Sequence, residues 1–116
     1  MCTKKELKNI TDDIVKASLL LAADNVDEII LYGSYARGDN DAESDIDIMI
    51  ILDSFESVKQ YKKNFMRASS RIGMENDVMV SVLLRDKENF VKNQSVLPFY
   101  KNIVREGVKL YDKSAG

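Results

Sequence analysis

The chain has 116 residues, 45% of them hydrophobic and 31% charged, with five Gly and one Pro; this is the makeup of one globular domain, and it excludes collagenous, low-complexity and disordered classes. There is no His and a single Cys, Cys2, which excludes an intrachain disulfide, a thiolate zinc site and histidine-based triads, and leaves carboxylates as the only donors for a metal such as magnesium, manganese or calcium. Seventeen basic residues against 19 acidic ones leave a net charge of −2, so a generic nucleic-acid binder is not expected, and the apolar run Leu19 to Ala23 is far short of the ~20 residues that cross a bilayer.

Thr3 and Glu6 have the spacing of a capping box, in which hydroxyl and carboxylate satisfy each other's backbone amides at a helix start. The spacing predicts a helix from about Lys4 to Ala23, with Leu7, Ile10, Ile14, Ala17 and Leu21 on its apolar stripe. Glu28 to Tyr32 reads as a buried strand stopped by Gly33, and a turn or helical start follows at Ser34. Gly38 to Asp45 is polar loop, and Ile46 to Leu52 is the most strand-like segment, expected at the centre of the sheet. Ser54 or Ser57 caps a second helix, with Val58, Tyr61, Phe65, Ala68 and Ile72 on its inner face and an end at Gly73. A third strand is expected over Asp77 to Leu84, a short helix from Asp86 to about Lys92, a further one from Pro98 to Gly107, and an edge strand over Val108 to Tyr111. Residues 1–113 read as one domain, and 114–116 as a frayed tail. The start of the chain shows no apolar signal core, so a cytoplasmic protein is expected.

The chemistry concentrates between Leu31 and Ile51. Gly33, directly after a strand, lets backbone approach a phosphate, and Ser34 offers an amide and a hydroxyl where a helix begins. Asp45 and Asp47 are two apart at the start of a strand, so alternation puts both carboxylates on one face with Cα atoms about 6.6 Å apart. Acids so placed repel each other unless a cation neutralises them, and side chains at this separation can share two metals about 3.5–4 Å apart, the geometry of in-line phosphoryl displacement. Ile46, Ile48 and Ile50 point the other way and anchor the pair. Two simpler motifs fail. A P-loop needs Lys and Ser or Thr where Asp39 and Asn40 stand, and a calcium loop beginning at Asp39 has Ser44 at the turn-glycine position and Ile50 at the final ligand.

Gly33-Ser34-Tyr35-Ala36-Arg37-Gly38 followed by Ser44-Asp45-Ile46-Asp47 resembles the signature of the nucleotidyltransferase superfamily typified by DNA polymerase beta. In so short a chain it resembles the minimal nucleotidyltransferase group, many of whose members are the antitoxin half of pairs with a HEPN-domain toxin. The resemblance implies an α/β nucleotidyltransferase fold: a small mixed sheet of three or four strands with helices packed mainly on one face. It implies that Gly33 and Ser34 hold the triphosphate of ATP and that Asp45 and Asp47 ligate magnesium, two ions with manganese as a substitute. It also implies a third carboxylate on a later strand, able to complete a metal site and accept the nucleophile's proton; Asp77 is the candidate and Glu75 the fallback. The implied reaction is adenylyl transfer to a hydroxyl, a tyrosine of the partner toxin, by a protein that also associates with that partner. A catalytically idle module that neutralises its partner by occlusion is the alternative, ahead of an aminoglycoside-type enzyme, for which no second domain is evident.

Arg37, the one cation inside the motif, can steady the phosphates with its bidentate fork or pair with neighbouring acids. Tyr35 is expected to pack, and Asp39, Asp41 and Glu43 to be solvated loop acids. Lys59, Lys63, Arg67 and Arg71 recur every four residues with Lys62 beside them, a solvated face or a dock for an acidic surface. Tyr32, Phe55, Phe65, Phe90, Phe99 and Tyr100 read as core or interface filling.

Overall fold

Ile46–Leu52 (β2) is apolar on both faces, which suits a strand covered from both sides. In the structure, a computed structural model that describes residues 2–115, β2 pairs antiparallel with β1 (Val26–Tyr32) and parallel with β3 (Val80–Asp86), while β4 (Val108–Asp112) adds antiparallel to the free edge of β1, giving the order β3-β2-β1-β4. Parallel neighbours need a long crossover, and the helix α3 (Phe55–Glu75) supplies it between β2 and β3.

Alternation along β2 divides the core in two. Ile46, Ile48 and Ile50 join Ile29 and Leu31 beneath α1 (Lys4–Ala22) and α3, which contribute Ile10, Ile14, Phe65 and Ile72. Met49 and Ile51 join Ile30 on the opposite face beneath α4 (Lys87–Asn93) and α5 (Pro98–Glu106), which contribute Phe90, Tyr100 and Ile103. The two long helices therefore share one face, as the resemblance implied, and two shorter ones cover the other. Asp47 lies on this second face, beyond the part that α4 and α5 cover, and is only half-buried.

Local chemistry fixes the ends of these elements. Thr3 Oγ1 accepts the Glu6 amide at 3.1 Å and Glu6 Oε1 accepts the Thr3 amide at 3.0 Å, the reciprocal box expected at the start of α1. Ser54 accepts the Ser57 amide ahead of α3, and Asp86 accepts the Asn89 amide ahead of α4. Two buried hydroxyls on the inner side of α1 are satisfied within the helix, Thr11 by the Lys8 carbonyl and Ser18 by the Ile14 carbonyl.

Several boundaries differ from the sequence expectation, three of them with a structural cause or consequence. The first strand begins at Val26, after a 3-10 turn over Ala23–Asn25. α3 continues past Gly73 to Glu75 because Gly73 faces the chain that returns into β3: a Cβ there would collide with the Val78 carbonyl oxygen. The third strand starts at Val80, not Asp77, because Asp77 takes a left-handed turn at φ 53° between helix and strand, a conformation Asp tolerates better than most residues. Ser114 and Ala115, expected as a tail, form a 3-10 turn in which Asp112 Oδ1 accepts both the Ser114 amide and hydroxyl; Gly116 lies outside the described residues.

Candidate functional site

β1 ends at Tyr32, and the chain turns through Gly33 into a single helical turn, α2 (Ser34–Arg37), closed by Gly38 in the left-handed region. Gly33 has φ 77° and ψ −158°, a combination essentially confined to glycine. Space enforces the same choice, since a Cβ there would collide with Asp47 Oδ2 and lie 3.2 Å from Asp47 Cγ. The carboxylate of Asp47 thus lies against Gly33, the residue that leads into the turn beginning with Ser34. The Gly33 carbonyl accepts the amides of Ala36 and Arg37, while the amides of Ser34 and Tyr35, first in the turn, have no intrahelical acceptor.

Asp45 precedes β2 and is exposed; Asp47 is its second residue and pairs with Tyr32 across the β1–β2 ladder. Burial holds the Asp47 carboxyl above its ordinary value of 3.8, the nearby Asp45 charge adds to the rise, and Arg37 opposes it. Tyr32 is pushed up to about 12 by burial and by Asp47, with Arg85 opposing. Two carboxylates therefore lie close together at one end of the two central strands, a potential that favours a cation. The donor set is all oxygen, as hard divalent ions require. It is also small: among the described residues no three carboxylates gather around one point. Magnesium fits such a site, because it is commonly held by one or two carboxylates with substrate phosphates and water completing its octahedron.

Asp77 does not join the pair. It is exposed in the α3–β3 turn and shares with Asp45 a hollow lined also by Glu6, Ser44 and Ser69, which Gly33, Ser34 and Asp47 do not border. Glu75, the fallback, is exposed at the end of α3 beside Arg71 at 3.7 Å. The residue that stands next to Asp47 on β3 is Ser81. Arg37 lies between two acids: its Nε donates to Asp39 Oδ2 at 3.1 Å, and its Nη1 is 3.5 Å from Glu106 Oε2.

Tyr35 packs into the core as expected, its hydroxyl accepting the Cys2 amide at 3.4 Å. Asp41 braces its own loop, Oδ1 accepting the Glu43 amide and the Ser44 hydroxyl. On α3, Lys59 sits 5.6 Å from the Phe55 ring centre, and the rest of the basic stripe is exposed. Two residues stand near the site without a sequence signal that places them there: Phe99, expected only as core or interface filling, and Glu106. Phe99 is 45% exposed and meets Tyr32 edge to face at 5.7 Å. Glu106 arrives from the end of α5, and no local motif marks either residue.

The family model for "Polymerase beta, Nucleotidyltransferase" matches residues 15–115. The chain belongs to this family. As a nucleotidyltransferase it is 33% identical over 82 residues to "Putative protein adenylyltransferase MJ0141" of Methanocaldococcus jannaschii, covering 71% of this chain and 82% of the relative. It is 34% identical over 87 residues to "Putative protein adenylyltransferase MJ0604" of the same organism, covering 74% and 79%. Its fold is similar to a chain in the crystal structure of a toxin-antitoxin with AMP-PNP, at a TM-score of 0.55 and 22% identity over 90% of this chain and 75% of that one. No helix among the described residues is long and apolar enough to cross a membrane.

Proposed function

We propose that this nucleotidyltransferase transfers AMP from ATP to a hydroxyl of a protein acceptor, a tyrosine of a HEPN-type toxin, and so acts as an antitoxin in the cytoplasm. The observation that carries the reading is the close approach of Gly33 to Asp47, which sets the turn into Ser34 beside the Asp45 and Asp47 acids. The two relatives bear the name of protein adenylyltransferases, and the toxin-antitoxin chain of similar fold was crystallised with an ATP analogue.

In this reading Ser34, through its amide and hydroxyl, binds the triphosphate where Gly33 lets the backbone come close. Arg37 offers its guanidinium to the phosphates that leave. Asp45 and Asp47 hold magnesium, two ions with manganese as a substitute; when bound, the metal neutralises phosphate charge and lowers the pKa of the attacking hydroxyl. The acceptor oxygen bonds to the α-phosphorus, the bond from that phosphorus to the bridging oxygen breaks, and pyrophosphate departs. Asp77 is proposed to take the proton of an acceptor hydroxyl that enters through the hollow it shares with Asp45, a hollow that Asp47 does not border.

The test is incubation with labelled ATP, magnesium and the product of a neighbouring toxin gene. Label should move to the toxin, and Asp45→Asn with Asp47→Asn should abolish it; label that survives both substitutions overturns the mechanism. Neutralisation by occlusion without transfer draws on one observation, that no third carboxylate among the described residues joins the pair. It is favoured if the toxin is silenced and remains unlabelled.

A further inference from the structure

Glu106 lies 69 residues beyond Arg37 in sequence, and its arrival beside the site has a structural cause. Gly107 follows it at the end of α5, where a Cβ would collide with the Ile103 carbonyl oxygen and with Ile30 Cγ2 and would lie 3.4 Å from the Leu31 carbonyl oxygen. Val108 then pairs with Leu31 on β1, two residues before Gly33. The missing side chain at Gly107 thus seats the end of α5 against the strand that feeds the phosphate turn. Glu106 is delivered to the Arg37 end of α2.

There its two carboxylate oxygens divide. Oε2 is 3.5 Å from Arg37 Nη1, and Oε1 is 3.3 Å from Arg105 Nη2. With Asp39 on Arg37 Nε, the guanidinium is held by an acid on two of its three nitrogens. A guanidinium has five N–H donors, so both hydrogens of Nη2 and the second hydrogen of Nη1 stay available at the end of the fork. Arg37 is close enough to Asp47 for its charge to oppose the rise of that carboxyl. The exposed pair contributes little to stability; what it does supply is orientation, since an arginine on a one-turn helix otherwise samples many rotamers.

We propose that Glu106 is a positioning residue: it braces Arg37 so that the free end of the guanidinium faces the β- and γ-phosphates of the nucleotide. This rests on the reading of Gly33 and Ser34 as the triphosphate site. The test is calorimetric titration of the purified full chain with ATP and, separately, with AMP, both with magnesium. Glu106→Gln should weaken ATP about fivefold to tenfold while AMP, which lacks the braced phosphates, stays within about twofold. The loss should shrink in Glu106→Asp and vanish when Glu106→Gln is made in an Arg37→Ala background. Thermal melts of the same proteins check that the fold is intact, because a merely structural role would lower the melting temperature and leave the ATP-to-AMP ratio alone. ATP binding that is unchanged or tighter in Glu106→Gln, or an equal loss for ATP and AMP, overturns the proposal. A wild-type chain that binds neither nucleotide overturns the triphosphate site itself, a distinct result that takes the brace with it.

Discussion

Gly33→Ala is the perturbation whose consequences the structure specifies most fully. Two separate penalties meet at this position. The backbone at φ 77°, ψ −158° is one that residues with a Cβ hold at a cost of about 1–3 kcal/mol. At about 4 °C per kcal/mol for a domain of this size, that alone lowers the melting temperature by about 4–12 °C. The new methyl also meets Asp47, whose Cγ would be 3.2 Å from the Cβ and whose Oδ2 would be closer still. The carboxylate has to swing away, and displacing a group at the reacting centre by about 1 Å costs on the order of 10²-fold in rate. Melts followed by circular dichroism and transfer assays with labelled ATP read the two effects separately. A double-mutant cycle with Asp47→Ala divides the stability loss: the collision part should disappear in that background, and the backbone part should persist. Gly33→Ala protein that melts with the wild type and transfers at the wild-type rate refutes the reasoning. So would a stability loss of the same size with and without the Asp47 side chain, because it would leave no collision.

Because the Asp47 carboxyl is raised above 3.8 by burial and by Asp45, its contribution to stability is complete below the unfolded value and is lost as pH rises through the folded one. Asp47→Asn is therefore expected to melt higher than wild type at neutral pH without divalent metal and to converge with it in strong acid; a constant difference across that range contradicts the assignment. Thr3→Ala removes half of the capping box and is expected to cost about 1 kcal/mol, or about 4 °C, in a thermal melt. Ile48→Ala, at a core position with 0% exposure, is expected to cost about 2–5 kcal/mol by urea denaturation. Asp77→Asn is expected to lower the rate of transfer and leave ATP affinity unchanged, and an undiminished rate removes Asp77 from the proton path.

Much of this molecule is legible in its sequence because the signals are local. The reciprocal Thr3–Glu6 box, Asp86 and Pro98 as helix openers, and Ile46–Leu52 as the central strand follow from neighbours within a few residues. The closeness of Gly33 to Asp47 is also signalled locally, since an antiparallel turn between two strands brings together residues that flank it. What the sequence hides depends on how distant segments meet. The Asp77 turn looks like the start of a strand because Val78, Val80 and Val82 already alternate, yet the left-handed turn at Asp77 delays the pairing to Val80. The helices α4 and α5 cover the second face through Phe90, Tyr100 and Ile103, a packing that their short apolar patterns do not assign to either side of a sheet. Phe99 and Glu106 reach the site only because Gly107 lets α5 close against β1, a relation between residues far apart in the chain.

The decisive experiment on the acid pair is a crystal of the nucleotidyltransferase soaked with manganese and a nonhydrolysable ATP analogue, with anomalous scattering recorded. The expected map has an anomalous peak in contact with Asp45 and Asp47 and the triphosphate laid against the Ser34 amide. Ordered nucleotide elsewhere on the molecule, with no anomalous signal at those two carboxylates, would contradict the account.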